Sequence, residues 1–154
     1  MNAIEILIAD SLADSLSRHT LEGAISRVDA VRRFVPDFQG DDVSTLKVSV
    51  VPGECEVTNH THGADLFEAS VHVVIAKRIT SDEDVEDLVE LRTNIVDAIR
   101  SKVLPASVPA MPAGVSWFSI SNSVTFQPDQ ITNHRVFMGE IMVTYRRAQA
   151  KVTA

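Results

Sequence analysis

One cysteine, Cys55, is all the thiol this 154-residue sequence has. A disulfide framework needs pairs and a thiolate zinc site needs several, so both are excluded, and folding inside the cell is the expectation. Long apolar runs are missing too: none approaches the ~20 residues that cross a bilayer. The start, MNAIEILIAD, puts Glu5 and Asp10 where a secretory leader would carry basic residues before an apolar stretch. The expectation is therefore a soluble chain with no signal peptide and no membrane partner. The six glycines are scattered, with neither GxGxxG nor GxxxxGK[ST], which excludes a standard nucleotide loop. Positive charge is in deficit, with 14 Lys+Arg against 21 Asp+Glu and a net charge of -7. That balance argues against nucleic acid as the main partner. What remains is 45% apolar at a length that suits one domain with a core of its own.

Residues 1–18 read as a helix, because Ile4, Ile8, Leu12 and Leu16 recur every four residues with no Gly or Pro among them. A weak edge strand is expected after Gly23, ending in a loop at Pro36, Gly40, Asp41 and Asp42. Leu46, Val48 and Val50 then alternate with polar residues, as do Phe67, Ala69, Val71, Val73 and Ile75, the pattern of two half-buried strands. The 52–66 stretch between them is long for a hairpin connection and reads as a loop or as a strand extension with a protruding tip. Ser81 before Asp82, Glu83 and Asp84 caps a helix over 82–103 that presents Leu88, Ile95 and Ile99 on one arc. Pro105, Pro109 and Pro112 with Gly114 end it. Strands over 115–126 and 134–146, joined around Pro128 and Asp129, close the domain, and residues 148–154 read as a flexible tail. The expected fold is a single α+β domain over 1–147: a mainly antiparallel sheet of four to five strands with two helices on one face.

Chemistry is scarce. Cys55 lies between Glu54 and Glu56, whose charge would raise its pKa and dull it as a nucleophile. His60 and His62 form an HxH pair that could share a metal if Glu56, Asp65 or His72 supplied a third ligand. The favoured reading of that stretch is a polar, exposed tip. Asp82, Glu86 and Glu90 stack at i, i+4 spacing, either a solvated face or a dock for a basic partner. Arg92 interrupts the apolar arc of its helix. Either its stem lies on apolar surface with the guanidinium in water, or it forms an ion pair across a subunit interface. No catalytic residue, cofactor or metal is assigned. Residues 37–72 hold seven acids against Lys47, whereas 131–154 hold Arg135, Arg146, Arg147 and Lys151 against Glu140. Unlike patches of this kind suit head-to-tail self-association.

The order of a first amphipathic helix, LKVSVVPGECEVTNHTHGADLFEASVHVVIAKR as a strand pair, SDEDVEDLVELRTNIVDAIRSKV as an acidic-started helix, and a final strand ending VFMGEIMVTYRR resembles the tail terminator, or tail completion, proteins of long-tailed bacteriophages. The resemblance extends over nearly the whole chain. Related neck and head-completion proteins at the head-tail joint are similar in size and composition. The resemblance implies a non-enzymatic virion protein, assembled in the host cytoplasm as a homo-oligomeric ring, typically a hexamer. Its partners would be the tail tube protein and head-neck connector proteins. An acidic ring fits a channel that DNA traverses without sticking. On this reading Glu54, Glu56, His60 and His62 are candidates for contact with the tube or the lumen. Arg92, Arg146 and Arg147 are candidates for subunit contacts.

Overall fold

The apolar periodicities resolve into two helices on one sheet in the computed structural model, which describes residues 3–35, 45–121 and 135–151. In chain order the elements are α1 (Ile4–Arg18), β1 (Ala30–Arg32), β2 (Lys47–Thr61), β3 (Ala64–Arg78), α2 (Asp82–Arg100), β4 (Ser116–Ser121) and β5 (Val136–Ala150). The five strands form one sheet in the order β1-β2-β3-β5-β4. Only β1 runs parallel to its neighbour; the other pairings are antiparallel. This is the expected α+β domain, with the weak strand after Gly23 present as a three-residue edge.

Alternation sorts the sheet into two faces. On one, Val48 and Val50 of β2, Val71, Val73 and Ile75 of β3, and Phe137, Ile141 and Val143 of β5 meet Ile8, Leu12 and Leu16 of α1 and Leu88, Leu91 and Ile95 of α2 in a single core. α1 lies over β1, β2 and β3, and α2 over β5 and β4. The N-terminus of α2 is built as its sequence requires, with the Ser81 side chain accepting the Asp84 N–H at 3.4 Å. Three groups on α1 tie down the proline-rich segment that follows α2. Ser15 Oγ donates to the Pro105 carbonyl at 2.9 Å, Asp14 accepts the Val108 N–H at 2.8 Å, and the Ser11 and Ser107 hydroxyls lie 2.6 Å apart. On the opposite face only a small apolar cluster of Ala76, Val136 and Met138 forms among the described residues.

One stretch is decided between two readings and two boundaries differ from expectation. The 52–66 stretch is the strand extension with a protruding tip: β2 continues through Pro52 to Thr61, pairs with β3 across an irregularity between Pro52 and Cys55, and turns only at 62–63. Its polar composition left the loop reading open, because a strand exposed on both faces carries no alternation to read. Ala148, Gln149 and Ala150 are not a frayed tail but the end of β5, paired with Leu66, Asp65 and Ala64. The ladder then closes with the Lys151 N–H on the Gly63 carbonyl at 3.0 Å. Without them the outer backbone groups of β3 would lack partners. α2 stops at Arg100, with Lys102 in the left-handed region at φ 56°. The strand foreseen over 115–126 is β4 as far as Ser121. Its continuation, the turn at Pro128 and Asp129, the 36–44 loop and residues 152–154 lie outside the described residues.

Candidate functional site

The outer halves of β2, β3 and β5 run beyond the core as a three-stranded arm. β1 pairs with β2 only as far as Val50, and β4 pairs with β5 only from Ser121 to Ser116, opposite Met142 to Arg146. From Gly53 to Thr61 the outer edge of β2 therefore has no strand partner among the described residues. Glu54, Glu56 and His60 sit here and His62 in the turn that follows, and all are exposed. Among the described residues neither glutamate makes an ion pair or a hydrogen bond. Glu56 shares the open face with Glu68, its cross-strand neighbour.

The arm does not assemble the metal set considered above. Among the described residues no three His, Cys, Asp or Glu side chains come together as ligands. Asp65 is 3.6 Å from Lys151 Nζ, and His72 pairs through Nδ1 with Glu140 on the exposed face of the sheet. Cys55 is exposed, and its pKa is raised as expected, though by a different cause. Partial burial is the larger effect, followed by the charge of Glu5 at the start of α1.

The three arginines diverge. Arg146 is used within the chain: its Nε and one terminal nitrogen donate to Glu68 Oε1 at 2.9 and 2.8 Å, and its guanidinium stacks over Phe118, 3.2 Å from the ring centroid. Arg147, next along β5, points to the other face. It donates to Gln149 at 2.8 Å, lies 5.6 Å from the Phe67 centroid, and has an Nε that is sealed without a partner. Among the described residues Arg92 makes no ion pair and no hydrogen bond, yet it is only 7% exposed. Of its guanidinium nitrogens, Nε is sealed without a partner. Burial pushes its pKa down. The two terminal nitrogens are not sealed, so the stem lies in apolar surroundings with the tip of the guanidinium at the surface, and no ion pair is made among the described residues.

The setting of Arg92 follows from helix geometry. Asn94 donates to the Glu22 carbonyl at 2.5 Å, which turns that side of α2 toward the connection after α1. Two residues at about 100° each put Arg92 about 160° away around the helix, on the side facing the β4 edge. Val85, Val89 and Val96, all half-buried, share that flank. Glu68 as the partner of Arg146 escaped the sequence reading, since only the β3–β5 register brings residues 78 positions apart together. A cavity of about 400 Å³ also opens between α1, the end of α2 and the proline-rich segment, with Trp117 and the buried Tyr145 in its wall.

Compared with protein-family models the chain matches none, and no match emerges among curated proteins. The functional reading therefore rests on the geometry and on the pattern of the sequence.

Proposed function

We propose that this chain is a structural assembly protein without catalytic activity, a tail terminator that closes into a ring on the end of a phage tail tube and offers the head-neck connector its attachment surface. The observation that carries the reading is the arm. A sheet with an exposed, unpaired, acidic edge on the β2 side and a half-buried valine flank holding an unpaired arginine on the β4 side has two unlike lateral surfaces. Contacts between unlike surfaces repeat in one direction and close when the rotation per copy divides a full turn. The element order quoted above supports the same reading, as does the net charge of -7, which suits a passage for DNA.

The test is the mass of the purified protein by light scattering after size exclusion, over a range of concentration and salt, followed by imaging with purified tail tubes. A discrete closed oligomer near six times 16.8 kDa that decorates tube ends is the expected outcome. Decoration of the portal side of filled heads instead would reassign the chain to the neck. A monomer that binds neither would overturn the proposal.

A further inference from the structure

The unpaired guanidinium of Arg92 lies on a flank that is apolar around it and turned away from α1. Arg92 is 7% exposed, its Nε is sealed, and its terminal nitrogens open onto this flank with no partner among the described residues, where a counter-charge from outside can reach them. Val85, Val89 and Val96 are equally incomplete, half-covered valines on the outer side of a helix whose inner side is fully packed. What completes both is an apolar strip carrying one long carboxylate able to reach in past the valines.

The same chain carries unpaired carboxylates on its opposite side. Along the outer edge of β2, which has no strand partner among the described residues, Glu54 and Glu56 are exposed and make no ion pair or hydrogen bond there. The strand order separates the two features by the width of the sheet, because α2 covers β5 and β4 while β2 lies toward the other edge. One copy cannot satisfy itself, but each copy can satisfy the next.

Resting on the ring reading above, we propose that the α2 flank of Val85, Val89, Arg92 and Val96 receives the β2 edge of a second copy of this chain, whose Glu54 or Glu56 carboxylate pairs with Arg92. The contact is head-to-tail: every copy gives one acidic edge and takes one on its valine flank. Arg92 binds the partner and has no other role in this scheme. Arg146, already held by Glu68 and Phe118, is not needed for it.

The test compares wild type, Arg92→Met, and Glu54→Gln with Glu56→Gln together, each alone and the two variants mixed, by light scattering after size exclusion. Circular dichroism and thermal melting confirm that each variant is folded. Arg92→Met removes a buried charge for an apolar chain of similar length, and the glutamates are exposed, so both variants keep the wild-type melting behaviour or exceed it. Each alone is expected to weaken self-association by at least about thirtyfold, the cost of leaving one member of a buried charged pair unmatched. The mixture is the decisive sample. The Arg92→Met copy has an intact acidic edge and the glutamine copy an intact flank, so together they form one good contact and stop at a dimer of twice 16.8 kDa. If both variants assemble as the wild type does, the pairing is overturned and the ring reading stands. If each variant is monomeric and the mixture is too, the β2 edge is not what Arg92 meets, and the inference is overturned. A wild type that is monomeric at every concentration and binds neither tube ends nor filled heads overturns the ring reading and the inference together.

Discussion

The inner and outer halves of β2, β3 and β5 have the same ladder of hydrogen bonds and opposite surroundings. Inside, Val50, Val71, Val73, Ile141 and Val143 have no measurable exposure, because α1 and α2 lie across them. Outside, from Glu54 to Thr61, every residue of β2 is exposed although the pairing with β3 continues. Strand geometry in this protein is thus propagated by neighbouring strands, while stability is concentrated where helices cover the sheet. The arm is held in place by the core and adds little to it, which leaves its sequence free to serve contacts with other molecules.

That contrast can be broken most directly from the inside. Phe137→Ala removes a fully buried ring near the start of β5 in the covered half and should cost about 3–5 kcal/mol, read from the shift of a denaturant unfolding curve. A comparable loss from an arm residue would abolish the distinction. Tyr145, the single tyrosine, marks the border between the halves and can be followed alone by ultraviolet absorbance. Burial pushes its pKa well above the ordinary value of 10.0. The folded state therefore prefers the neutral phenol, and its contribution to stability is complete below pH 10 and declines as pH rises beyond it, when the unfolded chain ionises first. The expected trace shows no tyrosinate at pH 10 in folded protein, and tyrosinate appearing together with unfolding at higher pH.

Smaller effects sharpen the comparison. Ser81→Ala removes the cap of the helix that covers β5 and should cost about 1 kcal/mol in the same unfolding assay. Val57→Thr, on the exposed edge of the arm, should change stability by less than about 0.5 kcal/mol. The Asp84 carboxylate accepts from both the backbone N–H and the hydroxyl of Thr80 at 2.8 Å, which holds its pKa below the ordinary carboxylate value. Its contribution is present above about pH 4 and is lost as pH falls through the folded value. Thr80→Val should move the Asp84 titration, followed by NMR of its side-chain carbon, upward toward that ordinary value.

Both helices, the sheet and the two covered strands were legible from the sequence because their residues alternate or recur at a helical period. Ile8, Leu12 and Leu16 announce α1, and Val71, Val73 and Ile75 announce β3. The arm was half-legible. VPGECEVTNHT has no periodicity, since nothing covers either face, and only pairing with β3 makes it a strand. Arg92 stood out as a charge on an apolar arc, but its freedom from any partner depends on the tertiary surroundings. Arg146 is the opposite case. As an arginine in a basic C-terminal stretch it looked available, whereas the register of β3 and β5 delivers Glu68 to it.

Cys55 gives the arm a chemical handle that needs no engineering. It is the only thiol in the chain, it lies on the β2 edge beside Glu54, and its raised pKa keeps it mainly protonated at neutral pH. Alkylation by a maleimide should be slow at pH 7 and quicken as pH rises, and each modified molecule gains a single, countable mass. The rate of that reaction, measured in wild-type protein at dilute and concentrated conditions, would time how long the edge of the arm stays open to solvent.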